Sequence, residues 1–207
     1  MTEKKQKNKK LLSELLGEVN PEKTSKNENK SEENPVIDEE FLEEFPPDEI
    51  YPVYILHRVV YETILMCKKA IPNEAIGILL GYKMQHNGKN YVKVVDWVTG
   101  KANQSQAFAE FTPEGVRQYT TIIDERYGES ENRPRIVGII HSHPFGSNPH
   151  FSGTDYNTFL NFPYDAEHNV FVLVDPKSGY YKTYVVKIND ENQKDLVEVN
   201  WVEYTAR

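Results

Sequence analysis

Two histidines one residue apart, His141 and His143, stand in the run His141-Ser142-His143-Pro144 directly after the apolar stretch Ile136 to Ile140. On a β-strand successive side chains face opposite ways, so residues two apart share a face, about 7 Å apart along the chain. Both imidazoles can therefore reach one ion, while Ser142 points away. Further on, Ser152-Gly153-Thr154-Asp155 combines a helix-capping serine with a carboxylate in the first helical turn. Each piece has an ordinary explanation by itself: a satisfied or solvated histidine, and a capping box. Their joint occurrence points further. Two neutral imidazoles and one carboxylate make a three-ligand zinc site with the fourth tetrahedral position open to water. Such a site is catalytic in type, because zinc lowers the pKa of that water to about 7. Proton transfer then needs a base. Glu74 opens an otherwise apolar segment, Ala75 to Tyr82, and is either that base or a solvent-facing carboxylate at a strand end.

The elements that must position these groups carry clear signals. Residues 57–71 read as an amphipathic helix with Val60, Ile64, Cys67 and Ile71 on one stripe, which makes Cys67 an inert core residue rather than a nucleophile. Ala75 to Tyr82 and Tyr91 to Val98 read as a hairpin around Asn87-Gly88. Thr112 as N-cap, Pro113 at the first helical position, a staple of Phe111 on Val116 and a stop at Gly128 define a second helix. Ile136 to Ile140 is apolar on both faces, as expected of a central strand covered on both sides, and Pro144 ends its ladder. Residues 170–174 and 180–188 form a second hairpin across Pro176-Lys177-Ser178-Gly179, and 197–204 a last strand. The expected class is α/β (mixed α+β), with one central β-sheet flanked by helices.

The chain has 207 residues with a formal net charge of −8, one cysteine and six histidines. That suits one domain plus a tail. Residues 1–50 carry 14 acidic and 8 basic side chains, are poor in aromatics, and read as a disordered charged N-terminal tail. Two apolar clusters interrupt it, at Leu11, Leu12, Leu15, Leu16 and Val19 and at Phe41, Leu42 and Phe45. The first has helical spacing and is either a docking arm for a partner or a frayed solvated helix. Residues 51–207 form the domain. The lone Cys67 excludes an intramolecular disulfide framework and a cysteine-rich zinc module, and fits a reducing compartment. The N-terminus has no signal-peptide core, and no apolar run approaches the roughly 20 residues needed to cross a bilayer. A cytoplasmic protein is expected, without nucleic acid or membrane as partner.

Taken together, Glu74 in its Pro-x-Glu-x-x-Gly-x-Leu-x-Gly frame, His141-Ser142-His143-Pro144 and Ser152-x-x-Asp155 resemble the JAMM (JAB1/MPN/Mov34, MPN-plus) metalloproteases, over roughly residues 51–190. The resemblance implies a JAMM/MPN-like domain acting as a zinc hydrolase that cuts peptide or isopeptide bonds, often after the Gly-Gly tail of ubiquitin or a ubiquitin-like protein. It implies His141, His143 and Asp155 as zinc ligands and Glu74 as general base. It implies that Ser152 holds the water or donates to the tetrahedral oxyanion. Zinc plus one Asp leaves about +1 of formal charge to polarise the scissile carbonyl. The family usually has seven residues between the second His and the Ser; here Pro144 to Phe151 is eight. The extra residue falls in the Gly146–His150 loop, where His150 is either a further ligand or a surface histidine. No long insertion separates the motif segments, so selectivity for one polyubiquitin linkage is not expected. Two alternatives stay open: a non-catalytic MPN-type scaffold or protein-binding module docking through the tail, and a zinc hydrolase of another amide. His57, His86, His168, Trp97 and Trp201 carry no assigned chemistry.

Overall fold

The sequence punctuation is met at both ends of the second helix. In the computed structural model, which describes residues 50–161 and 163–206, the Thr112 hydroxyl accepts from the Gly115 N–H at 3.0 Å, and the Gly128 N–H donates to Asp124 O at 2.8 Å. Gly128 takes a left-handed φ of 56°, the conformation that lets glycine stop a helix. Its helix spans Pro113–Tyr127, and an earlier one spans His57–Ala70; these are α2 and α1. Phe111 packs edge-on against Tyr119, with ring centroids 5.1 Å apart. The proposed tail and its two apolar clusters lie outside the described residues.

Eight strands form one sheet: β1 (Val53–Leu56), β2 (Ile76–His86), β3 (Lys89–Val98), β6 (Arg135–Ser142), β7 (Val170–Asp175), β8 (Tyr180–Ile188), β9 (Lys194–Val199) and β10 (Trp201–Tyr204). Their order is β10-β1-β3-β2-β6-β7-β8-β9, so β6 is interior as its unbroken apolar run requires. A small separate hairpin pairs β4 (Ala102–Gln104) with β5 (Ala109–Phe111). The short helix α3 covers Gly153–Phe159. Asn87 and Gly88 both have positive φ, 48° and 74°, as a two-residue hairpin turn between right-twisted strands demands. The fold is mixed α/β.

The expected single strand over 197–204 is instead two. The chain leaves β8 at Val199, and after Asn200 alone it pairs parallel with β1 at the opposite edge of the sheet. One residue can join the two edges only if the sheet curls until they lie close together. Strand propensity runs through both segments, and a change of pairing partner leaves no mark on it.

The curled sheet has a core on each face. On one side α1 contributes Val59, Val60 and Cys67 to a cluster with Val53, Leu79, Val137, Ile140 and Val172. On the other, α2 and α3 contribute Val116, Tyr119, Ile123 and Phe159 against Ile76, Ile78, Ile139, Phe171 and Leu173. The α1 stripe needs one correction. Ile71 caps the helix C-terminus and is 37% exposed, whereas Thr63 is fully buried in its place. The Thr63 hydroxyl donates to Val59 O at 2.7 Å, which removes the penalty of burying it.

A register shift in the β2–β6 pairing decides where the histidines go. Leu79 pairs with Gly138 and Leu80 with Ile136, so Val137 is an extra residue on β6. Beyond this bulge, Ile139 joins Ile136 on the α2/α3 face, and Val137 and Ile140 join the α1 face. Gly138 has no side chain because β7 leaves no room: a Cβ there would sit 1.7 Å from Val170 O.

Candidate metal centre

Ile76 and His141 are opposite each other in the antiparallel β2–β6 pair. Continuing that register past both strand ends sets Ala75 beside Ser142, where the Ser142 N–H donates to Ala75 O at 3.0 Å. It then sets Glu74 beside His143. The Ser142 hydroxyl, on the α1 face, accepts from the Ala75 N–H at 2.8 Å and locks the two strand ends together. The Glu74 N–H is taken by Ser105 O at 2.7 Å, and the His143 N–H by Val174 O at 2.9 Å. The backbone on either side of the two side chains is thus held.

Asp155 arrives from elsewhere. Phe151 is buried beside Phe159, with ring centroids 5.2 Å apart, and seats the start of α3 against the sheet. Ser152 caps the helix in a reciprocal capping box: its hydroxyl accepts from the Asp155 N–H at 3.2 Å, and its own N–H donates to Asp155 Oδ2 at 2.7 Å. The Ser152 hydroxyl proton also goes to Asp155 Oδ2, at 2.7 Å. In this arrangement Ser152 orients a carboxylate, and its hydroxyl must rotate before it can donate to a substrate oxygen.

The four side chains interlock. Glu74 Oε2 lies 3.0 Å from His141 Nε2, and Glu74 Oε1 lies 3.7 Å from His143 Nε2. Asp155 Oδ1 lies 3.7 Å from His141 Nε2, and Asp155 Oδ2 lies 3.3 Å from His143 Nε2. Each carboxylate therefore spans both imidazoles, one oxygen to each. Ligand atoms of Glu74, His141 and His143 all fall within 4.8 Å of one another. Glu74, His141 and His143 are 3%, 3% and 5% exposed, and Asp155 is half-buried. Burial at this depth demands compensation for every charge and polar atom.

That compensation is incomplete among the described residues. His141 Nε2 sits 3.0 Å from Glu74 Oε2 yet makes no hydrogen bond there, and neither ring nitrogen of His141 has a hydrogen-bond partner among the described residues. Unsatisfied buried groups cost about 1–3 kcal/mol each. A cation between the imidazoles and carboxylates takes the orphaned lone pair and the excess negative charge together. Two nitrogens and carboxylate oxygens are the donor set zinc favours. The residues fit a divalent metal.

The electrostatics agree. Burial works to raise the Asp155 pKa, but hydrogen bonds from His143 and Ser152 and the neighbouring His141 outweigh it and hold the carboxyl at about 2. Burial works to lower the His143 pKa, yet Asp155 and Glu74 together pull it above the ordinary imidazole value. His143 is also hydrogen-bonded to the backbone of His150. The His150 side chain is exposed and outside the Glu74–His141–His143 group, so the longer loop brings in its backbone rather than another imidazole.

A model of the prokaryotic homologs of the JAB domain matches residues 57–177, more than half the chain and inclusive of Glu74, His141, His143, Ser152 and Asp155. The chain belongs to this family. No curated protein matches the sequence. Among solved structures, protein DSY2949 from Desulfitobacterium hafniense, determined in solution, is similar at 19% identity with a TM-score of 0.45, covering 74% of this chain and 94% of that one. Within the JAB-domain site, two contributors carry no metal-ligand signature and are missed by motif reading. Ser142 is visible only as the residue between two histidines. Asp175 is visible only as the acid before the Pro176 turn, although it grips the loop that follows His143.

Proposed function

We propose that this JAB-domain protein is a zinc-dependent hydrolase of peptide or isopeptide bonds. Its substrate is the C-terminal tail of ubiquitin or a ubiquitin-like protein, free or in conjugates, and its setting is the cytoplasm. The observation that carries the proposal is the pair of buried imidazoles bracketed by two carboxylates. His141 and His143, through Nε2, and Asp155 would hold the ion. Zinc, when bound, supplies Lewis-acid polarisation of the scissile carbonyl and acidification of a water. Glu74 accepts a proton from the attacking water on a carboxylate oxygen and delivers it to the leaving amine nitrogen. Its burial, with the backbone N–H held by Ser105, keeps that oxygen fixed. Ser152 keeps Asp155 aimed.

Two other candidate nucleophiles, Cys67 and Ser142, do not compete. Cys67 is buried in the α1 core, and burial pushes its thiol up to about 12. Ser142 is buried and bonded to the Ala75 N–H. No helix among the described residues is long and apolar enough to cross a membrane.

The test is Glu74→Gln. The variant retains zinc and loses cleavage of ubiquitin-like fusions by about 100-fold or more, the scale of a lost general base. Full cleavage by Glu74→Gln removes Glu74 from the mechanism. A zinc-free purified protein that binds a ubiquitin-like partner without cutting it favours the scaffold reading instead.

A further inference from the structure

Asp175, at the end of β7, is a carboxylate with no exposed surface and no ion pair among the described residues. Among the described residues its charge is met by backbone N–H groups alone. Oδ2 accepts from the Gly146 N–H at 2.6 Å and the Ser147 N–H at 2.9 Å. Oδ1 accepts from the Lys177 N–H at 2.8 Å and the Ser178 N–H at 3.1 Å. One oxygen thus holds the loop between His143 and Ser152, and the other holds the β7–β8 turn. Two further bonds run along the same seam: the His143 N–H donates to Val174 O at 2.9 Å, and the Ser178 hydroxyl donates to Ser147 O at 3.2 Å.

We infer that Asp175 is a positioning residue for the metal centre: it sets the path of the eight-residue loop and so the separation of His143 from Asp155. The inference rests on the zinc reading above. The ends of the loop are anchored by the His143 N–H on Val174 O and by the buried Phe151, and Asp175 fixes the path between them. Gly146, with φ 76°, makes the turn that presents consecutive N–H groups to one carboxylate oxygen. Asparagine cannot replace the clamp. Its amide offers one acceptor and one donor group, so two of the four N–H groups would face N–H. The loop is then free to drift, and His143 and Asp155 drift with it.

The experiment is zinc affinity of the full chain, measured by competition with a chelator for wild type, Asp175→Asn, Ser147→Pro and Val59→Ala. Ser147→Pro keeps the carboxylate and removes one loop donor. Val59→Ala creates a cavity in the α1-side cluster, on the sheet face opposite the one on which Phe151 and α3 pack, and serves as a control for stability loss alone. Asp175→Asn and Ser147→Pro should each weaken zinc binding about 10- to 100-fold, the range for outer partners of metal ligands. Val59→Ala should lower Tm and leave zinc affinity unchanged. Wild-type zinc affinity in Asp175→Asn overturns the inference, as does weakening that tracks Tm equally in all three variants. A wild-type chain that takes up no zinc overturns the metal reading and this inference together. That outcome is distinct because it is seen before any variant is compared.

Discussion

Ile76 of β2 faces His141 of β6 across the antiparallel pair, and this single pairing sets the centre, because two residues on from each lie Glu74 and His143. Glu74 and His143, the base and second ligand of the proposed mechanism, are thus brought together by strand register, and the register depends on the bulge at Val137. A one-residue slip would send His141 to the α1 face.

Gly138 permits the close approach of β6 to β7. Because a methyl group there meets Val170 O at 1.7 Å, and that neighbour is backbone that cannot rotate aside, Gly138→Ala should destabilise the domain by about 1–3 kcal/mol. Urea denaturation measures it. An unchanged midpoint would mean that β6 and β7 can separate without cost.

Zinc binding should depend on pH through His143. Its pKa is raised, so its proton is held more tightly than in a free imidazole, and that proton competes with the metal. Apparent affinity should therefore rise with pH, by about tenfold per unit for this one proton, until His143 is neutral, and flatten above that. Chelator competition between about pH 5.5 and 8 reads the slope. A flat profile would show that His143 is not a ligand.

Ser152→Ala removes the side-chain half of the capping box and one hydrogen bond to Asp155 Oδ2. A loss of about 1 kcal/mol in stability is expected. With one fewer donor the Asp155 carboxyl is less depressed, so acid release of zinc should begin at higher pH than in wild type. Thermal melts and an acid titration of bound zinc separate the two effects.

Asp96, 4% exposed at its side chain, accepts from Arg58 at 2.8 Å, Arg126 at 2.7 Å and the Tyr127 hydroxyl at 2.7 Å, and so ties α1 and α2 to β3. Burial raises its pKa, but these bonds outweigh it and the net shift is downward. A depressed pKa means that its contribution is present above the unfolded value near 3.9 and is lost as pH falls through the folded one. Asp96→Asn should cost about 1–3 kcal/mol at pH 7, since both arginines are half exposed and can return to water. The difference between variant and wild type should shrink in acid.

Much of the site can be read from the residues because its signals are local. His-x-His at the end of an apolar run gives two imidazoles on one side, and Ser-x-x-Asp is a capping box whose geometry the structure reproduces. Thr112, Pro113 and Gly128 mark α2 because helix termini have their own chemistry. What stays hidden is non-local. The bulge at Val137 exists only as a mismatch with β2, and the switch at Asn200 only as a change of partner. Asp175 reveals itself only when the Gly146–Ser147 loop folds back onto it from 28 and more residues away.

Cleavage of a ubiquitin-like fusion protein by the purified full chain, with zinc, with chelator, and with zinc restored, tests the central claim most directly. Scission at the C-terminal tail of the modifier in the first and third conditions, and none in the second, is the result expected of a metal-dependent hydrolase. Cutting that persists undiminished in chelator, with the metal shown to be gone, would contradict it.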